Sequence, residues 1–167
     1  AAAVVKKCRH KEENTVYATK VMRNRDLEKE IASRAEFDLL NGLEDHPHII
    51  KAKEFISTEQ WTYFVMEYAN GLELQEYLER FHHSFSQHKS SLTRKIISGL
   101  LSGVAHLHSA RICHKDIKPE NIMVDIQGEQ LVSLKLVDFN ISQKVQNDRF
   151  TMIAKNGTKM FIAPEME

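Results

Sequence analysis

The 167-residue sequence lacks net charge: 23 lysines and arginines balance 23 aspartates and glutamates. That removes the bulk electrostatic case for nucleic acid or an anionic membrane as partner. No apolar run is long enough to span a bilayer. The opening Ala1-Ala2-Ala3-Val4-Val5 is too short for a signal-peptide core and runs directly into Lys6-Lys7. Cysteine is scarce, and Cys8 and Cys113 lie far apart, so no disulfide framework is expected; the cytoplasm, or else the nucleus, is the expected location. What remains, 42% hydrophobic and 28% charged residues, suits a globular chain with enough mass for a core.

Hydrophobic periodicity orders the elements. Ala3–Lys7 and Val16–Met22 read as β-branched strands around the polar turn Arg9–Thr15, a hairpin. Asp26 is a good N-cap for a helix reaching Gly42, with Leu27, Ile31, Ala35 and Leu39 at near-helical spacing. Ala52–Ser57 and Thr62–Glu67 read as strands, Asn70-Gly71 as a turn, and Glu73 heads a short helix to Phe81. The stretch from Arg80 to Ser91 reads as a connection. His82, His83 and His88 there raise a metal reading, but nothing in the sequence fixes their geometry, so a solvated loop is preferred. Leu92–His108 is the clearest helix, with Leu92, Ile96, Ile97, Leu100, Leu101, Val104 and Leu107 on one face. Gly99 and Gly103 cost it about 1 kcal/mol each against alanine, which points to close packing by a neighbour. Ile122–Asp125 and Leu131–Val137 pair across Gln127-Gly128-Glu129.

Between that long helix and the strand at Ile122 lies His114-Lys115-Asp116-Ile117-Lys118-Pro119-Glu120-Asn121. It gathers an acid, a base and an amide in eight residues around a proline that forbids regular helix. Such a loop between core elements is a usual mounting for catalytic groups. The stretch resembles the catalytic loop of eukaryotic protein kinases of the serine/threonine type, with Lys115 where the family usually has arginine. The resemblance extends along almost the whole chain, through Lys20 at a strand end, Glu36 on a helix, Asp138-Phe139-Asn140, and Gly157-Thr158 leading to Ala163-Pro164-Glu165. The tone of His46-Pro47-His48-Ile49-Ile50 and Val65-Met66-Glu67-Tyr68 is similar to the calcium/calmodulin-dependent group.

The resemblance implies an α+β fold of two lobes: residues 1–66 as part of a small lobe, 67–72 as a hinge, 73–167 as part of a large lobe. It implies transfer of the ATP γ-phosphoryl group to a protein hydroxyl, with Mg2+, a protein substrate and an unknown regulator. Asp116 would orient or accept the substrate proton, Lys118 would meet the γ-phosphate, and Asn121 with Asp138 would offer magnesium its oxygen ligands. Lys20, paired with Glu36 in preference to Glu30, would hold the phosphates. Val5, Ala18, Met66 as gatekeeper, the backbone of Glu67 and Ala69, then Glu73 and Met123 complete the ATP set. Thr151 and Thr158 fall in the activation segment, Thr158 facing structure or substrate, and His114 is expected to pack under Phe139.

Some positions depart from the family. The resemblance implies a glycine-rich loop ending at Ala3 and further helices beyond Glu165, so the chain is expected to be truncated at both ends and poorly active or inactive alone. Lys115 keeps a charge but loses the bidentate fork of arginine. Asn140 replaces a glycine and is expected to bias the backbone beside Asp138. The competing function is a pseudokinase scaffold. Such a scaffold is free to lose any of Lys20, Glu36, Asp116, Asn121 and Asp138, and all five are present.

Overall fold

The computed structural model describes residues 4–24, 27–81, 89–145 and 158–161. It divides into two compact units, Ala1–Asp45 with Ile50–Ala69, and His46–Ile49 with Asn70–Glu167. Asp26, His82, His83, His88, Thr151 and the Ala163-Pro164-Glu165 motif lie outside the described residues.

The first unit is an antiparallel sheet with one helix. Strands β1 (Val4–Arg9), β2 (Val16–Arg23), β3 (Ala52–Ser57) and β4 (Trp61–Glu67) stand in the order β1-β2-β4-β3. In β4, Thr62, Phe64 and Met66 are buried in strict alternation, as the two-residue period of a strand requires. Helix α1 (Leu27–Asn41) packs on β3 and β4. Phe37 meets Phe64 edge-on at 5.7 Å and Phe55 at 5.5 Å. The expected apolar stripe of α1 is not its buried face. Leu27 and Ile31 are 71% and 60% exposed, while Ser33, Glu36 and Leu40 are buried. The helix turns by what its last two turns must cover, so Phe37 and Leu40 set its rotation and the stripe at Leu27 is carried outward.

The second unit joins a small sheet to two helices. Strands β5 (Leu72–Glu73), β7 (Ile122–Gln127) and β8 (Gln130–Leu136) pair antiparallel in the order β5-β7-β8, and β6 (Ile112–Cys113) pairs with β9 (Gln143–Lys144). Gln127 pairs with Gln130, so the turn is Gly128-Glu129, with Gly128 at φ 62°. Gly71 is also obligatory: at φ 94°, a Cβ there would stand 2.0 Å from the Val124 carbonyl oxygen. Helix α2 is Leu74–Phe81 and α3 is Lys89–Ser109. The expected connection over Arg80–Ser91 is thus shorter, since both helices grow into it. The apolar residues of α3 divide between two sides: Leu92, Ile96 and Leu107 are buried, whereas Ile97 and Leu101 are 50% and 61% exposed.

The two glycines of α3 mark where His48 lies. A Cβ on Gly99 would stand 3.3 Å from the His48 ring, and one on Gly103 would stand 3.4 Å from the His48 carbonyl oxygen. His48 Nδ1 lies 3.2 Å from the Leu134 carbonyl oxygen, and Leu136 N–H donates to the His48 carbonyl. Ile49 forms a parallel bridge to Leu136. These contacts explain why His46–Ile49, assigned by the sequence to the first part, belongs with the second unit.

Candidate active site

In the first unit, strand register collects the predicted nucleotide residues. Lys20 stands opposite Val5 on one side and Phe64 on the other, and Ala18 stands opposite Met66. Directly opposed residues share a face, so Val5, Ala18, Lys20 and Met66 line one side of the sheet. Lys20 Nζ donates to both Glu36 carboxylate oxygens, at 2.7 and 2.8 Å. The Glu36 side chain is 3% exposed and that of Lys20 15%, so the pair is buried enough that losing one partner is costly. Glu30 instead accepts a hydrogen bond from the Ser57 hydroxyl. Six residues apart on a helix, the two glutamates point to different faces. Glu67 N–H donates to the Lys51 carbonyl, and Ala69 closes this unit half-buried.

In the second unit, Glu73 stands directly opposite Met123 across β5 and β7. The loop from His114 is fixed from beneath. The His114 ring is buried, 4.6 Å edge-on from Phe139. Its Nε2 lies 3.1 Å from the Val137 carbonyl oxygen and its Nδ1 accepts from Asp116 N–H. A carbonyl accepts only, so Nε2 carries the hydrogen and Nδ1 the lone pair. This neutral tautomer agrees with a pKa below the usual 6.5. Burial is the main cause, opposed by the bond to Val137 and the charges of Asp138 and Asp116. The Ser142 hydroxyl further ties the His114 carbonyl. Lys115 takes the left-handed φ of 71°.

The Asp116 carboxylate is the hub. Oδ1 accepts from Thr158 N–H at 3.1 Å and from the Thr158 hydroxyl at 2.7 Å. Oδ2 accepts from Asn121 Nδ2 at 2.9 Å and lies 3.0 Å from Lys118 Nζ. Lys118 also donates to Thr158 Oγ1 at 2.8 Å, so that hydroxyl accepts from the lysine while donating to the aspartate. Burial pushes the Asp116 pKa up, but the bonds from Thr158, Lys118 and Asn121 outweigh it and hold the carboxyl below the ordinary range. The Lys118 ammonium is shifted upward, chiefly by its bond to Asp116. Asn121 is buried within the 3-10 turn Pro119–Asn121. Its Nδ2 bonds the Asp116 carbonyl as well.

Asp138 follows β8, half-buried, at φ 63°. The left-handed residue of this stretch is Asp138 itself, and aspartate tolerates that region better than most side chains. Burial of Phe139 against His114 holds the turn at Asp138, two residues before Asn140. The direct grip of Thr158 on Asp116, 42 residues away in sequence, carries no local sequence signal. Among the described residues, no group of histidine, cysteine, aspartate and glutamate forms a metal-binding cluster. Asp138 and Asn121 are nonetheless oxygen donors of the kind magnesium prefers, and the bond from Asn121 Nδ2 to Asp116 leaves the amide oxygen to face elsewhere.

The chain matches the protein kinase domain family over residues 1–166. It is 33% identical to the mouse protein "Serine/threonine-protein kinase DCLK3", an alignment covering 98% of this chain and 20% of that protein. It is equally 33% identical to "Serine/threonine-protein kinase AtPK2/AtPK19" of Arabidopsis thaliana, over 95% of this chain and 32% of that one. "Serine/threonine-protein kinase 33" of Bos taurus is 37% identical, over 78% of this chain and 27% of its own length. The chain thus spans about a fifth to a third of these relatives. With the Lys20–Glu36 pair and the Asp116 hub in place, the chain belongs to the protein kinase domain family, on the serine/threonine side.

Proposed function

We propose that this domain transfers the γ-phosphoryl group of ATP to serine or threonine hydroxyls of a protein substrate. The observation that carries the reading is the Asp116 carboxylate, held ionised between Lys118, Asn121 and Thr158. Phosphoryl transfer asks for positioning and charge neutralisation more than for covalent chemistry. A carboxylate with a lowered pKa is a weak base, so Asp116 serves first to orient the substrate hydroxyl and takes its proton late. Lys118, beside it, neutralises charge on the transferring group. Thr158 links the two, so it is both structural and close to the substrate hydroxyl.

The nucleotide belongs to the same proposal. Lys20, fixed by Glu36, would meet the phosphates. Val5, Ala18 and Met66, with the backbone of Glu67 and Ala69, would meet the base, and Glu73 and Met123 would complete the set. Asn121 and Asp138 would hold Mg2+, which, when bound, neutralises the phosphate oxygens. Both cysteines are free, in keeping with a cytoplasmic or nuclear location.

The test is transfer of labelled γ-phosphate to a mixed protein substrate in the presence of Mg2+, with phosphoamino-acid analysis. Label on serine and threonine that disappears in Asp116→Asn is expected. Label on tyrosine alone, or label that survives in the variant, overturns the assignment.

A further inference from the structure

Helix α3 runs Lys-Ser-Ser-Leu-Thr-Arg-Lys-Ile-Ile-Ser-Gly-Leu-Leu-Ser-Gly-Val-Ala-His-Leu-His-Ser, with no aspartate or glutamate in its length. In a chain whose charges balance, that is a local excess of positive charge. A groove of about 500 Å³ lies along this helix, lined by His48, Ser91, Arg94, Lys95, Ser98, Gly99 and Ser102. Ser91, Arg94 with Lys95, Ser98 and Ser102 recur at three- and four-residue steps and so share one face. Gly99 makes the groove: a Cβ there would press on the His48 ring at 3.3 Å, so the missing side chain lets the imidazole form the wall. The ring is pinned from behind by the Leu134 carbonyl. Arg34, Arg80, Lys51, Lys20 and Lys118 each sit against a carboxylate. Arg94 and Lys95 have no such partner among the described residues.

We propose that this groove binds a phosphorylated serine or threonine within an extended peptide segment. Two adjacent cations ringed by hydroxyls match a phosphate monoester, which carries nearly two charges and three strong acceptor oxygens. Arginine adds paired donors suited to that group. From Ser91 to Ser102 the helix rises about 16 Å at 1.5 Å per residue. That length takes roughly five residues of extended peptide at about 3.3 Å each. A polyanion is disfavoured because the chain has no net charge to draw one in. The inference stands apart from the phosphoryl-transfer reading, since binding is measured without nucleotide.

The test is fluorescence anisotropy of a short labelled peptide with one central phosphoserine among neutral residues. Its unphosphorylated twin, an aspartate twin, and phosphatidylcholine vesicles carrying a phosphoinositide are the comparisons. The phosphopeptide is expected to bind on the order of tenfold tighter than either twin and tighter than the vesicles. That preference is expected to vanish in R94E/K95E, with an unchanged melting temperature, and to persist in Arg34→Glu. If charge reversal disturbs folding, R94Q/K95Q gives the same comparison. Equal binding of the peptides, vesicle binding as tight as the phosphopeptide, or a preference that survives both double variants overturns the proposal.

Discussion

Lys20 and Asp116 are both charges held at the edge of a core, yet they are held differently. Lys20 on β2 is gripped by the two oxygens of a buried Glu36 on α1, one strand tied to one helix. Asp116 is gripped from several segments: Asn121 and Lys118 in its own loop, and Thr158 from 42 residues on. The first arrangement is a clamp, in which losing either end removes a two-pronged, buried ion pair. The second is a network, in which each donor carries part of the load and losing one shifts the carboxylate without releasing it. The clamp therefore governs the stability of its unit, while the network governs the chemistry of its central group.

The sharpest break of that contrast is Asp116→Asn. It removes the charge but keeps the shape, so it is expected to lower phosphoryl transfer by about a hundred- to ten-thousand-fold. Nucleotide affinity should change little, while the unfolding midpoint should fall modestly, since the amide cannot accept from Thr158, Lys118 and Asn121 together. Activity within a few-fold of the unmodified protein removes Asp116 from the chemistry.

Lys20→Met is expected to act on the clamp instead. It removes the ammonium held by both Glu36 oxygens, in a site where that side chain is 3% exposed, at a cost of about 3–5 kcal/mol. Glu36→Gln leaves an amide acceptor beside the more exposed Lys20 and should cost less. Urea denaturation of the two variants gives the ranking, and the reverse order breaks the clamp picture.

Thr158→Val probes the network at one node. It removes the hydroxyl between Lys118 and Asp116, a loss of about 1.5–3 kcal/mol for bonds to charged groups. Thr158→Ser should restore most of it. With a downward influence gone, the Asp116 pKa should rise, seen as an upward shift of the acid limb of the activity profile. An unmoved acid limb in Thr158→Val argues that Thr158 packs without tuning the carboxylate.

The clamp was more legible in the sequence than the network. Strand alternation and helical spacing place Lys20 and Glu36 on their elements, and the resemblance selects Glu36 over Glu30. The loop from His114 to Asn121 was legible because its members are adjacent in sequence. The bond from Thr158 to Asp116 was not, because it depends on how a distant segment returns. The outward turn of Leu27 and Ile31 was hidden for another reason. Periodicity fixes which residues share a face, but the aromatic contacts of Phe37 decide which face turns inward. The glycines of α3 announced a close neighbour, and only the packing identified it as His48.

The smallest expected effect comes from the ring beneath the hub. Burial holds His114 below its ordinary value of 6.5, so the folded chain keeps the imidazole neutral where the unfolded chain has begun to take up a proton. Its contribution is therefore complete above pH 6.5 and is lost as pH falls from 6.5 through the folded-state value. Each unit of that depression amounts to about 1.4 kcal/mol. The window is separate from that of Asp116, whose contribution is lost only below the ordinary carboxylate value of 3.8. Protonation would also set an N–H at Nδ1 against the Asp116 N–H, which now donates to it, so acidification loosens the support of the hub before its charge is touched. His46, also depressed by burial and by the charges of His106, His48 and Lys135, adds a smaller slope because it is more exposed. His114→Leu lowers stability at every pH, yet it should flatten the dependence below pH 6.5 measured by urea midpoints, with His46→Asn removing a lesser share. A slope unchanged in His114→Leu would sever the ring from the pH response and leave the network to respond through its carboxylate alone.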